Sequence, residues 1–381
     1  MRIKLIDVEN RLSIKYNPID GIYNWGDDNS YPSLVKTIIN SSVTARNCVK
    51  KNAIYTYGKG FEFIDNITDK TTLIVNKKGQ NINELLRIVS REFAEQNNVF
   101  LHINYNSLFE VTSVELLPTT DVRIGKSDST SYSGKFLVYN NWDRSKSKKC
   151  NKSDYNLIDR FNPSPIIIQS QVDAVGGIWN KYKGQILHLT SDFSDTYSLS
   201  DVDSVMKDAD SQFKAAELRN DVFRKGFAGV KLVVTKPLKG GKDEGDELAE
   251  TLSELKGSSG ILHIEADEES SDLSQAILIQ NLDSDVDSNS FVEKESISRK
   301  NILEAFGVPS ILISQDSDAV FGNSGELLTQ AKLMFWDDKS ETRNIITEAF
   351  EKLFSKFHKV INPTNNWNII PIVAKPEVTN E

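Results

Sequence analysis

Residues 198–225 run without a proline or glycine, and their apolar members Val202, Val205, Met206, Ala209, Phe213, Ala216 and Phe223 recur every three or four positions. That spacing predicts one amphipathic helix, about 40 Å long at 1.5 Å per residue. Ser198 or Ser200 is placed to cap its start and Gly226 to end it. A helix of that length with one apolar stripe cannot satisfy itself alone in water. Its stripe must be covered by the rest of the chain or by other copies of it.

A second constraint lies in residues 285–357. The sequence predicts a helix over 285–306, with Phe291, Glu295, Ile297 or Ser298, Ile302 and Phe306 on a broken stripe, ending at Gly307, Val308 and Pro309. A polar loop follows, made of Ser314, Gln315, Asp316, Ser317, Asp318, Ala319, Val320, Phe321, Gly322 and Asn323. Gly325 then opens a helix expected to continue to about Phe357 as a single strut, because no Pro or Gly interrupts it. The loop has no apolar face to bury, so it adds little to a core and is positioned to touch something else.

At 381 residues the chain is too long for one ordinary core and suggests two or three sub-domains. Its 39% apolar and 26% charged residues are globular values. Two cysteines, Cys48 and Cys150, cannot build a disulfide framework, and neither stands at metal-ligand spacing from a histidine, so a reducing cytoplasm is the expected setting. The first ten residues carry charges where a signal peptide needs an apolar run, and no apolar stretch approaches the roughly 20 residues of a membrane span. A soluble protein with no membrane partner is expected.

A net charge of −9 argues against gripping nucleic acid by counterion release, which needs basic surface. It does not argue against letting DNA slide past, since an acidic wall repels the phosphate backbone. Simple solubility is the plainer reading of the same number.

Along the first half, helices are expected at 32–40, at 43–57 with Ala45, Cys48, Val49, Asn52 and Ala53 on one stripe, and at 82–97. Strands are expected at 60–64, 98–105, 108–118, 121–125, 135–139, 166–168 and 184–189, with a hairpin turn at Asn106 and Ser107. This is a mixed α+β region through about residue 195. Gly58 and Gly60 follow a helix and precede a strand, the reverse of a phosphate-cradling loop. Residues 140–154 hold five lysines or arginines among few apolar residues and read as a solvated loop, with a DNA contact as the minority alternative.

Further on, strands are expected at 230–234, 260–264 and 276–279, with a polar helix at 244–256. Residues 242–288 hold fourteen acidic and two basic side chains, either an exposed solvated face or a negatively charged rim. Residues 367–372 could add an edge strand.

Nothing in the chain spells out catalysis. It has no nucleophile elbow, no Gly-x4-Gly-Lys phosphate loop and no histidines paired at metal spacing. His102, His188 and His263 each fall inside an expected strand and read as structural. The chain is expected not to be an enzyme and to need neither metal nor cofactor.

The order of these elements resembles the portal proteins of tailed bacteriophages. Tyr197, Ser198, Leu199, Ser200, Asp201, Val202 and Asp203 open the long helix much as that family opens its first stem helix, and Phe306 to Ile313 resembles its turn into the tunnel loop. Asn323, Ser324, Gly325, Glu326 and Leu327 are similar to the start of the helix after it. The resemblance implies a portal fold: an α+β wing at 1–196, a first stem helix at 197–226, a small α/β clip at 227–283, a second stem helix at 284–308, a tunnel loop at 309–324, a long helix at 325–358 and a C-terminal strand and tail at 359–381. Only about twenty residues follow Phe357, so a crown is short or missing.

The resemblance further implies a closed head-to-tail ring, typically twelvefold, at one capsid vertex of the virion. Double-stranded DNA would pass through it during packaging and ejection. The terminase large subunit, the major capsid protein and a head-tail adaptor would be its partners, with Asp267, Glu268 and Glu269 on the docking end. Arg219, Arg224, Lys225, Arg299 and Lys300 become candidates for inter-subunit ion pairs or phosphate contacts. Two alternatives stay open: another structural or scaffolding component of the particle, and a nucleic-acid-processing enzyme with a dispersed site.

Overall fold

The computed structural model describes residues 16–17, 21–26, 29–126, 134–140, 142, 155–192, 196–225, 230–235, 261–265, 278–282, 288–313 and 324–372. They form two units, Met1–Ala209 with Asn301–Glu381, and Asp210–Lys300. The second unit is therefore an insertion into the first. Helix and strand are mixed, as an α+β class requires.

In the first unit a short antiparallel pair, β1 (Tyr16–Asn17) and β2 (Ile22–Tyr23), leads into α1 (Tyr31–Ser41), α2 (Val43–Tyr57) and α3 (Ile82–Gln96). Pro32 sits in the first turn of α1, where its missing N–H removes no helical bond. Ser42 ends α1 and caps α2, its Oγ accepting from the Ala45 N–H at 3.1 Å. The stripe expected on α2 is buried as the periodicity requires. At the start of α3, Asn81 Oδ1 accepts from the Glu84 N–H while the Asn81 N–H donates to Glu84 Oε2, both at 2.9 Å. Such a reciprocal cap contributes about 1 kcal/mol.

Six strands follow: β3 (Asn98–Tyr105), β4 (Val111–Leu117), β5 (Val122–Ile124), β6 (Phe136–Val138), β7 (Asn156–Arg160) and β8 (Gln185–Thr190), in the sheet order β4-β3-β8-β7-β6-β5. Every pairing is antiparallel except β7 with β8. The sheet separates two cores, and β3 feeds both. Phe100 joins α1 and α2 on one side, while Val99, Leu101 and Ile103 join α3 on the other. Gly184, just before β8, has φ +75°, and a Cβ there would lie 2.1 Å from the Ile103 carbonyl oxygen, so the close approach of β8 to β3 requires glycine.

Several expectations fail here, each for a local reason. Residues 166–168 form no strand but part of helix α4 (Pro165–Ala174). Three consecutive isoleucines favour a strand by propensity, yet Pro165 starts a helix and burial falls on Ile168 and Val172, four residues apart. The strand paired with β8 on that side is β7, which is short and follows a polar stretch. Residues 60–64 form a 3-10 turn, Glu62–Asn66, in place of a strand, with one bridge between Phe61 and Ile369. Residues 367–372 form no strand, but pair with the 59–62 segment through backbone bonds from Lys59 N–H to the Ile370 carbonyl, Glu62 N–H to the Asn368 carbonyl and Ile370 N–H to the Gly60 carbonyl, each 2.9 Å. Gly58 and Gly60 serve this junction: a Cβ on Gly58 would meet the Ile370 carbonyl oxygen at 2.3 Å.

After β8 the long helix begins later than expected. Asp201–Val205 is a 3-10 turn and α5 is Met206–Lys225. Neither expected serine cap operates, because Ser200 Oγ donates to the Glu95 carbonyl at 2.7 Å instead. In the second unit, β9 (Val230–Thr235) pairs parallel with β10 (Ile261–Glu265) and antiparallel with β11 (Leu278–Leu282). The parallel pairing needs a crossover. The polar helix expected at 244–256 lies within residues 236–260, outside the described residues. Helix α6 is Ser288–Ala305.

The helix expected at 325–358 is two helices, α7 (Ser324–Asp338) and α8 (Ser340–Phe354). Asp337, Asp338 and Ser340 flank the break, and their short polar side chains compete for backbone hydrogen bonds. Lys339 lies between, its ammonium 5.4 Å from the Phe335 ring centroid. Beside it the Arg343 guanidinium lies 3.7 Å from the Trp336 ring centroid and donates to the Tyr55 carbonyl at 3.1 Å. The strut is thus clamped at its joint.

Candidate helical assembly site

The helix that starts at Asp201 is rooted in the first unit by polar contacts that the sequence reading passed over. Asn97 Nδ2 donates to Asp201 Oδ1 at 2.7 Å and to the Leu199 carbonyl at 2.9 Å. Tyr31 Oη donates to Asp203 Oδ1 at 3.2 Å. Burial raises the Asp201 pKa and lowers that of Lys339, while each charge favours the other and partly offsets its desolvation. Tyr197, just upstream, stacks on Trp25 with ring centroids 4.0 Å apart, accepts from the Ile124 N–H at 2.7 Å and donates to the Tyr23 carbonyl at 3.0 Å. The signal for this root was the Asp201–Asp203 pair one turn before an apolar stripe, but its partners are more than one hundred residues away.

The stripe itself has two fates. Val202, Val205 and Ala209 are buried in the first unit with Ile302 and Leu303 of the last turn of α6 and Phe306 just after it. Phe213 is 40% exposed and Ala216 is exposed, so these two members of the stripe are open to water. Asn301 Nδ2 donates to the Asp208 carboxylate at 3.4 Å, and Arg219 Nη1 donates to Glu295 Oε2 at 2.9 Å, so α5 and α6 run side by side in opposite directions. A groove of about 360 Å³ lies between them, with Ala215 and Ile297 among its walls, and Ile297 is 57% exposed. Apolar side chains in water on paired helices can associate with a matching surface.

Of the charges expected on these helices, Arg219 is brought against Glu295 within the chain. That pair is solvent-exposed, worth about 0 to 1 kcal/mol at most. Arg299 and Lys300 are exposed on α6. The side chains of Arg224 and Lys225, the loop 314–323, and Asp267, Glu268 and Glu269 lie outside the described residues. His102 faces the Lys183 carbonyl from Nε2 at 2.6 Å, and His188 is held in the sheet, consistent with the structural reading of both. Among the described residues no helix is long and apolar enough to cross a membrane, and no group of three His, Cys, Asp or Glu could hold a metal ion.

No protein-family model matches the chain, and no curated protein is similar to it in sequence. Solved structures are similar in fold. A chain from the neck of an empty gene transfer agent (GTA) particle, computed with C6 symmetry, superposes with a TM-score of 0.50 at 14% identity, covering 86% of this chain and 81% of that one. A chain of the virion of a native GTA particle (TM-score 0.45, 14% identity, 78% and 74% covered) and one from the neck of a native GTA particle computed with C12 symmetry (0.44, 14%, 80% and 75%) are also similar. The chain and the neck chain of the empty particle thus share a fold across most of both.

Proposed function

We propose that this protein is a structural component of a phage-type particle, and within that class the portal: a ring-forming, non-enzymatic conduit for double-stranded DNA at one capsid vertex. The observation that carries the proposal is the coincidence of a shared fold with a particle-neck chain and a two-helix arm whose apolar stripe is half uncovered. A ring closes that gap. Each copy would set Phe213 and Ile297 against the neighbouring copy. The acidity of the chain then multiplies around the ring and keeps DNA from sticking to the channel.

In this reading residues 314–323 line the narrowest passage and Asp267, Glu268 and Glu269 lie on the face that meets the terminase large subunit and the head-tail adaptor. The wing meets the major capsid protein. The test is size and shape together. Native mass spectrometry should give a species near twelve times 42.8 kDa, and end-on electron micrographs should show rings with a central hole. A monomer, above all one with metal-dependent nuclease activity, would overturn the proposal.

A further inference from the structure

Helices α2 and α3 present a second feature that has no part in the helical arm. Their outward faces enclose a cleft of about 690 Å³. Arg46 and Lys50 stand one turn apart on α2, Arg87 and Arg91 one turn apart on α3, and all four line the cleft and are exposed. Like charges at i and i+4 repel by about 0.2 to 0.5 kcal/mol per pair, so the fold carries two small penalties here. Among the described residues none of the four is in an ion pair. The lone carboxylate in the lining is Glu95, itself buried.

Between the cations the lining is apolar. Val43 is 75% exposed, Ile54 and Ile88 are half-buried, and Tyr57 lies under Arg87, whose guanidinium is 5.7 Å from the ring centroid. On a chain of net charge −9 this is an island of opposite sign with an apolar middle. We infer that the cleft is a docking site for an acidic amphipathic segment of another protein, laid as a helix along α2 and α3 with carboxylates toward the four cations and aliphatic side chains toward Val43, Ile54 and Ile88. Guanidinium forks suit carboxylates, and an apolar stripe in a groove between two helices is a recurrent peptide-binding arrangement. A nucleic-acid backbone fits less well, because it brings no apolar group for the middle of the cleft. The inference is independent of the ring proposal, since both helices belong to the first unit.

The test uses the full chain and a labelled synthetic helical peptide with leucines on one face flanked by glutamates. The controls are a scrambled peptide of the same composition and a double-stranded DNA oligonucleotide of similar charge. Fluorescence anisotropy at low salt should show the patterned peptide binding and the scrambled one binding at least about tenfold more weakly. Arg46→Glu combined with Arg91→Glu should weaken the patterned peptide by a further factor of about ten or more, while thermal melting by circular dichroism stays put, because both side chains are exposed. Val43→Asp should weaken it without changing any cation. Equal binding of the scrambled peptide, tighter binding of the DNA, or an unchanged affinity in the charge-reversed variant would each overturn the inference. So would wild-type self-association that the reversal abolishes, which would assign the cleft to a second copy of this chain.

Discussion

His188 shows how one side chain can set a pH limit on the first unit. Its ring stacks on Phe100 with centroids 4.5 Å apart and Nε2 faces Asn98 Oδ1 at 3.0 Å. Burial first, and the Arg160 guanidinium second, push its pKa down to about 3 from an ordinary 6.5. Because the folded value is the lower one, the unfolded chain binds more protons between the two, and stability is lost as pH falls from about 6.5 toward about 3. Burial raises Glu95 and Asp201, which act in the opposite sense, so the useful comparison is between variants. His188→Phe keeps the stack and removes the proton, and Asn98 Oδ1 still accepts from the Ser198 N–H at 3.2 Å. The denaturant midpoint of the variant should therefore fall less than that of the natural chain between about pH 7 and about pH 4.5. Parallel losses would show that other groups govern the acid limit.

Arg123 illustrates what a residue-level reading of sequence misses. It is 1% exposed, its Nε donates to Asn29 Oδ1 at 2.6 Å and its Nη2 to the Asn29 carbonyl at 2.7 Å, with Nη1 on three further carbonyls. Trp25 and Trp142 rings lie 5.9 and 5.5 Å from the guanidinium. In the sequence it is an ordinary charge in a short strand, because Asn29, Trp25 and Trp142 arrive from elsewhere and the nearby carbonyls of Thr119, Thr120 and Val122 carry no side-chain signal.

At the scale of elements, legibility followed the agreement between periodicity and burial. Helices α2 and α3 were readable because their apolar residues recur at helical spacing, and the β3–β4 hairpin because two β-branched, aromatic-rich runs flank a short polar turn. α4 was misread as strand because isoleucine propensity outweighed its proline start, and the break at Lys339 was missed because neither Pro nor Gly marks it. The candidate arm was half legible. The stripe was visible, but its division into buried Val202, Val205 and Ala209 and exposed Phe213 depends on partners distant in sequence, Ile302, Leu303 and Phe306. That division makes a sharp prediction. Phe213→Asp adds a charge at an exposed position, so the isolated chain should keep its melting temperature within the usual scatter of surface changes, about 0.5 kcal/mol. In an assembled ring the same charge would be desolvated, at a cost of several kcal/mol per copy. Native mass spectrometry should show loss of the large species. Intact rings would remove Phe213 from the interface, and an unfolded monomer would put it in a core.

At the scale of the whole molecule, the proposed conduit separates the parts that build the ring from the part that touches its cargo. Residues 314–323 connect the 3-10 turn Ser310–Leu312 to α7, two segments anchored on Leu312 and Phe335 in the core. Removing residues 316–320 should leave the number of copies per ring unchanged yet lower the amount of DNA packaged or held, measured as nuclease-resistant DNA per particle. Wild-type packaging by the shortened protein would make the loop a mere connector.

The interrupted first unit also dictates an order of events during synthesis. The apolar face of α3, with Leu85, Leu86, Val89 and Phe93, shares its core with Ile346, Phe350, Leu353 and Phe354 of α8. Roughly 240 residues separate the two helices, so the ribosome needs on the order of tens of seconds to deliver the second after the first. The inserted segment, Asp210–Lys300, emerges complete within that interval. Until α8 arrives, the α3 side of the sheet lacks its closing layer, a late-sealing surface that chaperones would have the longest time to bind.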